Sequence, residues 1–254
     1  MGSKLPIYSI TQLIAMCRPP QTIAVFILLL LLAACGLPGR SGSEATATPA
    51  GNFLTYSIIP PAYTISMSPG ERVPGAPMEY LGQEGDTYRV RIGGQEALKR
   101  VGDSFAWSGV IAPGVHGEYN LRLTSALLGP LPVTGGVKLT ILDWQPVATA
   151  VLPELPNSLH FSNILQDHNL AVGDTMPAST LRYEGLVTEG NRRLARFSGL
   201  TGLTDYAQGD SVTWMGQLRS NVYVRYNLRV ISFDEDNVLL GGTAELWLTE
   251  PTYP

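Results

Sequence analysis

The chain contains an internal duplication, and this feature constrains its fold more than any other. The segment GDSFAWSG at 102–109 returns as GDSVTWMG at 209–216, and YNLRL at 119–123 returns as YNLRV at 226–230. Both pairs of segments are separated by 107 positions. A repeat of this length predicts two copies of one structural unit, each large enough to be a small domain.

The match continues upstream of these segments at a spacing of 103 positions. The matching residues are glycines, prolines and tyrosines: Gly70, Pro74, Tyr80 and Gly82 in the first copy, and Gly173, Pro177, Tyr183 and Gly185 in the second. Because the two spacings differ by four, we expect a four-residue insertion in the second copy between residues 201 and 208. The predicted repeats extend over residues 53–146 and 147–254.

Both copies have the alternating pattern of half-buried β-strands. Every second residue from Val222 to Val230 is apolar, and the same alternation occurs from Tyr119 to Leu123. The charged fraction is only 15%, and 27 glycines and 19 prolines supply turns at intervals of about 8–12 residues. The sequence therefore predicts an all-β fold of two tandem antiparallel β-sandwich repeats, each with about seven strands.

We expect the two repeats to be separable domains, because prolines interrupt the chain around Val147 to Pro156. The alternative is one continuous sandwich in which the copies exchange strands, since small domains without disulfides are only moderately stable.

The beginning of the chain has the features of a secretory signal. Residues 23–34 form an unbroken apolar run of twelve, preceded by Arg18. A signal peptide needs roughly 7–15 apolar residues, whereas a membrane-spanning helix needs about 20. Because Met16 would be a natural start, the first 15 residues are a candidate for a misassigned translation start.

The apolar run ends in Leu32-Ala33-Ala34-Cys35, which resembles the lipobox of bacterial lipoproteins. The resemblance implies that residues 1–34 are removed and that a lipid such as palmitate is attached to the thiol of Cys35. It also implies a protein anchored to the cell membrane or outer membrane and facing the periplasm or exterior. The alternative is an uncleaved or ordinary signal with a chance cysteine.

Residues 35–52 follow the lipobox and are almost wholly small, polar or proline. A segment of this composition cannot form a core, so we expect a flexible tether that holds the folded body away from a membrane. Cys35 is the only cysteine after the signal, which excludes a disulfide within the mature chain.

Each copy carries one tryptophan in its repeated segment, Trp107 and Trp214, followed two positions later by a glycine. The alternation places both indoles on the apolar face, and the glycine leaves room for the ring. We expect both to be structural core residues, and they resemble the core tryptophan of immunoglobulin-like sandwiches.

The repeated Gly-Asp-Ser also resembles the nucleophile segment of one family of serine esterases, which implies Ser104 or Ser211 as nucleophile. That family needs a later Asp-x-x-His, which this sequence lacks. The simpler interpretation is a turn in which Asp103 and Asp210 accept hydrogen bonds from nearby backbone amides. The sequence thus favours a protein that is not an enzyme.

Metal and cofactor sites are not indicated. We expect the three histidines, His116, His160 and His168, to be surface residues in loops or in the sequence between the repeats, without the spacing of metal ligands. The acidic segment 234–237 offers oxygen ligands for calcium, but its position between two apolar strands favours a polar hairpin turn.

A net charge of −4 gives no support for nucleic acid as a partner. The favoured function is non-enzymatic binding or adhesion to an envelope protein or polysaccharide. The alternatives are a structural spacer in envelope assembly and, least favoured, the esterase. Strand parity makes Tyr223, Trp247 and Tyr253 the candidate residues of a binding surface, and a flat row of exposed aromatic residues would indicate a glycan.

Overall fold

A computed structural model describes residues 51–124 and 130–253. The predicted signal peptide, Cys35 and the tether up to residue 50 lie outside the described residues. Within the described part of the chain, no helix is long and apolar enough to cross a membrane.

The first copy contains seven strands in its described residues. They are β1 (Phe53–Met67), β2 (Met78–Glu84), β3 (Thr87–Ile92), β4 (Gln95–Lys99), β5 (Ser104–Ala112), β6 (Val115–Leu123) and β7 (Leu131–Leu142). A large antiparallel sheet has the order β1-β7-β6-β5, and a small one has the order β2-β3-β4.

The second copy repeats this arrangement strand by strand. Its strands are β9 (Leu159–Ala171), β10 (Arg182–Glu189), β11 (Arg192–Ser198), β12 (Asp205–Tyr206), β13 (Ser211–Arg219), β14 (Val222–Phe233) and β15 (Asn237–Leu248), preceded by the short β8 (Val147–Ala148). The large sheet has the order β8-β13-β14-β15-β9 and the small one β10-β11-β12. The prediction of an all-β antiparallel fold is confirmed.

The strands form where the sequence alternates, because one face of each large sheet is buried. Along β14, every second residue from Val222 to Val230 is buried, and the four residues between them are half-buried or exposed. The strand β6 shows the same pattern from Val115 to Leu123. These buried faces join residues of the small sheets, such as Val90, in one hydrophobic core.

The register of the small sheets corrects the predicted position of the insertion. Gly82 pairs with Arg89, and the equivalent Gly185 pairs with Arg196. Because these glycines are 103 positions apart and these arginines 107, the four extra residues lie between them, in the hairpin from β10 to β11. The repeat in sequence does not reveal this, because the hairpin lengthens by two residues on each strand and the pairing stays in register.

The segments that follow the two large sheets cross to the other copy. The amide of Gln145 donates to the carbonyl of Leu218 at 2.8 Å, and the amide of Thr252 donates to the carbonyl of Ile111 at 2.7 Å. The two donors are 107 positions apart, and so are the two acceptors. The same hydrogen bond is therefore made twice, once from the first copy to the second and once from the second to the first. The described residues, 51–124 and 130–253, belong to one compact unit.

This exchange is the type of contact expected for a continuous sandwich. Independent folding of the two repeats stays a prediction.

Candidate binding surface

Three aromatic side chains form one row across the solvent-facing side of the second large sheet. Tyr223 of β14 lies opposite Trp247 of β15, which lies opposite His160 of β9. The imidazole of His160 stacks on the indole of Trp247, with ring centres 4.7 Å apart and planes inclined by 7°. We call Tyr223, Trp247 and His160 the aromatic row.

A charged network lies beside the aromatic row and is centred on Glu245. One carboxylate oxygen of Glu245 accepts hydrogen bonds from Arg225 at 2.6 Å and from Asn227 at 3.1 Å, and the other lies 3.1 Å from Nε2 of His160. The guanidinium of Arg225 also lies 5.4 Å from the centre of the Trp247 ring. Glu245 and Arg225 therefore link this network to the aromatic row, through His160 and through the ring of Trp247.

Burial and charge act in opposite directions on Glu245, whose side chain is only 17% exposed. Burial by itself raises the pKa of this carboxyl, but hydrogen bonding and the positive charge of Arg225, with smaller contributions from His160, hold it below its usual value. Glu245 is thus ionised at neutral pH, and the network persists there.

A shallow groove of about 520 Å³ continues from the network along the same sheet. It passes over Gly241, which offers no side chain to this face, and its walls include Thr213, Asn227, Arg229 and Ile231. The groove therefore offers amide, hydroxyl and guanidinium hydrogen-bonding groups next to the charged network, with which it shares Asn227.

The equivalent surface of the first copy has a different composition. His116 and Thr140 occupy the positions of Tyr223 and Trp247. Glu118 and Lys138, 3.0 Å apart, replace the Arg225–Glu245 pair with the charges reversed. Since the first copy forms the same sheet without these aromatic residues, the fold does not require them.

Tyr253, the third predicted surface residue, lies elsewhere. Its ring meets the indole of Trp107 edge-on, with centres 5.7 Å apart. The structure thus brings Tyr223 and Trp247 together and places Tyr253 against the first copy.

The two repeated tryptophans differ in burial. Trp214 is 2% exposed and donates its Nε1 hydrogen to Oγ1 of Thr180 at 2.9 Å, whereas Trp107 is half-buried and packs against the core. A Cβ atom at Gly109 or Gly216 would lie within 2.4 Å of the neighbouring indole, so both glycines make room for a ring, as the sequence predicts.

The repeated Gly-Asp-Ser forms a turn in both copies. The carboxylate of Asp103 accepts a hydrogen bond from the amide of Arg100, and that of Asp210 from the amide of Ala207, each at 2.8 Å. The predicted turn is confirmed. Ser104 and Ser211 begin the following strands and are exposed, and among the described residues no histidine or carboxylate is hydrogen-bonded to either hydroxyl.

The histidines are strand residues, which corrects their predicted placement in loops or between the repeats: His116 lies in β6, and His160 and His168 lie in β9. The alternation of polar and apolar residues indicates that these histidines lie in strands, whereas the glycines and prolines near them do not. In the described ranges no three side chains of His, Cys, Asp or Glu form a group that could hold a metal ion. The carboxylate of Asp234 accepts hydrogen bonds from the backbone amides of Asp236 and Asn237, in the predicted polar hairpin turn.

Sequence reasoning missed the whole charged network, namely Arg225, Asn227, Glu245 and His160. Alternation places all four on one face, but His160 and Glu245 are 85 positions apart, and only the pairing of β9 with β15 brings them together. No protein-family model matches the chain, and no curated protein or solved structure is significantly similar to it.

Proposed function

We propose that this protein is a lipid-anchored, non-enzymatic binding protein of the bacterial cell envelope. The lipobox ending at Cys35 and the polar tether after it support an anchor in the cell membrane or outer membrane. The partner is a polysaccharide of the envelope, held by the aromatic row and the adjoining groove on the second large sheet.

The difference between the two copies carries this proposal. The large sheets of the two copies share four equivalent strands, yet only the second combines Tyr223, Trp247 and His160 with the hydrogen-bonded network around Glu245. A spacer with a purely structural role has no need for this difference. Residues that the fold does not require, arranged on one open face, are typical of a recognition surface.

The chemistry of the surface favours a sugar chain. Tyr223 offers a ring and a hydroxyl, and its hydroxyl already lies 3.1 Å from the side-chain amide of Gln217. Arg229, Asn227 and Thr213 offer donors and acceptors along the groove. Sugars present both apolar ring faces and hydroxyl groups, and an open groove over Gly241 suits an extended polymer.

Cosedimentation with insoluble envelope polysaccharide tests the proposal. The protein is the unlipidated mature chain, residues 35–254 with Cys35→Ser. We expect binding that weakens about tenfold or more in Tyr223→Ala and Trp247→Ala. His116→Ala and Thr140→Ala are matched controls on the first copy, and they should bind like the parent chain.

Equal binding by all four variants would show that the second large sheet is not the binding surface. Retention that disappears when the polysaccharide is stripped of protein would instead identify an envelope protein as the partner.

A further inference from the structure

The groove on the second large sheet contains a charged side chain, that of Arg229 in β14. Of the described residues that line the groove, Arg229 is the one that carries a charge. It is exposed, and within residues 51–124 and 130–253 its guanidinium takes part in no ion pair. Arg225, on the same face, is by contrast bonded to Glu245 at 2.6 Å. The donors of Arg229 are therefore available to a ligand in the groove.

The same row of the first sheet is closed by hydrogen bonds. Arg122, the counterpart of Arg229, donates to a backbone carbonyl at 3.1 Å. Gly241 lies opposite Arg229 and adds no side chain to this face. In the first copy Thr134 takes the position of Gly241, and its hydroxyl lies 2.9 Å from that of Thr64. The second copy thus has open space and a cation where the first has a bonded pair of hydroxyls.

Arg229 lies far from the aromatic row. It is six residues beyond Tyr223 on the same strand, and a strand rises about 3.4 Å per residue, so about 20 Å separates the two positions. A single sugar ring is much shorter than this distance. A ligand that contacts both positions is therefore a chain of sugars that runs along the strands.

The charge of the groove favours a ligand with anionic groups. The planar guanidinium of an arginine presents a fork of donors that matches a carboxylate or a phosphate. The groove is lined by residues of β13, β14 and β15, and the exposed Asp167 of β9 lies outside it. Because the whole chain has a net charge of −4, an anionic polymer is repelled by much of the surface, which restricts its binding to exposed cations.

Since the proposed function makes a polysaccharide the partner, we propose that this polysaccharide is anionic and lies along the strands from the aromatic row to Arg229. One sugar ring packs on the aromatic row. A carboxylate or phosphate of a later sugar accepts hydrogen bonds from the guanidinium of Arg229 beside Gly241. Thr213 and Asn227, which line the groove, bind hydroxyl groups of the chain.

Cosedimentation of the same unlipidated chain with insoluble envelope polysaccharide tests the role of Arg229. Arg229→Gln should weaken binding about tenfold or more, because it removes the charge-assisted hydrogen bonds. Arg122→Gln is the matched control on the first copy and should bind like the parent chain. Gly241→Thr, which introduces the side chain of the first copy, should also weaken binding. A Cβ atom at this position meets Ile231 at 3.4 Å, an ordinary contact, so the sheet should accept the change.

Two treatments of the polysaccharide identify the anion. Reduction of its carboxylates to alcohols should remove the difference between the parent chain and Arg229→Gln if the anion is a carboxylate. Removal of phosphate with hydrofluoric acid should do so if it is a phosphate. Added salt should weaken binding of the parent chain more than binding of Arg229→Gln. Asp167→Asn should bind at least as tightly as the parent chain, because it removes a negative charge near the groove.

Equal binding by Arg229→Gln and the parent chain, or a difference that survives both treatments, would overturn this proposal. A loss in Asp167→Asn as large as that in Arg229→Gln would also overturn it, since it would indicate a neutral sugar chain held by hydrogen bonds alone. The proposed function would survive these results as long as Tyr223→Ala and Trp247→Ala lose binding. Full binding by those two variants, or no binding by the parent chain, would overturn both proposals.

Discussion

The hydroxyl oxygens of Tyr56 and Tyr226 lie 2.5 Å apart inside the core, although the residues are 170 positions apart. Tyr56 belongs to the large sheet of the first copy and Tyr226 to that of the second, so the buried faces of the two sheets meet at this bond. Burial raises the pKa of both hydroxyls, and the pair stays neutral.

Replacing one member of this pair should cost more than replacing both. Tyr56→Phe or Tyr226→Phe leaves a buried hydroxyl without its partner, which costs about 1–3 kcal/mol, whereas the double variant should be close to neutral. The second copy already has Phe161 at the position equivalent to Tyr56, and Tyr119, the counterpart of Tyr226, donates to the carbonyl of Pro74. Urea unfolding of the four proteins measures the coupling, and additive losses would contradict it.

Cleavage between the copies should leave them associated. A protease site inserted at Val151, which is 75% exposed, would cut the connection without touching β8. Because the bonds from Gln145 and Thr252 and the Tyr56–Tyr226 pair cross between copies, we expect the cut protein to elute as one species with one cooperative melting transition. Two fragments that separate and melt independently would support separable domains instead.

The two tryptophans should differ in their effect on stability. Trp214→Ala should cost about 3–5 kcal/mol, because it opens a cavity and removes the hydrogen bond to Thr180. Trp107→Ala should cost less, since the ring is half-buried. Gly216→Ala should be destabilising as well, because its Cβ would meet both an indole and the backbone oxygen of Val147. Thermal and urea unfolding measure the loss of stability in each variant. Equal losses in Trp214→Ala and Trp107→Ala would contradict the prediction.

His168 should make the protein less stable in mild acid. Burial lowers its pKa from the ordinary value of 6.5, more than neighbouring Asp167 raises it. Between the folded pKa and 6.5 the unfolded chain binds more protons, so stability falls as pH drops through this window. His168→Ile, which introduces the residue found at the equivalent position 65, should flatten the dependence.

The carboxylates with lowered pKa, such as Glu245, titrate below about 4.5 and therefore act in a separate window. A pH profile of unfolding free energy from pH 8 to 5 distinguishes the two contributions. An unchanged slope in His168→Ile would exclude the histidine as the cause.

Cys35→Ser should release the protein from the membrane fraction. In the proposed anchor the lipid is attached to the thiol of Cys35, and the variant lacks this thiol. Stable retention by lipid requires more than one acyl chain, so the expected mass difference corresponds to several chains. Membrane fractionation with lipid labelling measures both, and retained label in the variant would exclude Cys35 as the attachment site.

The sequence alone determined the features that depend on neighbouring residues. The alternation along β6 and β14 sets which face is buried, because side chains of a strand point alternately to opposite sides. The turns at Asp103 and Asp210 follow from hydrogen bonds to an amide three residues away. The duplication also indicates that the two copies form equivalent strands, because similar sequences form similar local structures.

The tertiary structure decided everything that depends on strand register and on contacts between the copies. The spacing of the repeated segments along the chain shows that four residues are inserted, but only strand pairing shows that they lie in the hairpin from β10 to β11. Strand alternation predicts that Trp247 and Glu245 face solvent, but it does not predict that His160 is their neighbour. His160 and Glu245 are 85 positions apart, and the pairing of β9 with β15 that joins them depends on the whole sheet. The placement of Tyr253 on Trp107 likewise depends on a tail that crosses to the other copy, and such long-range contacts leave no periodic signal in a sequence.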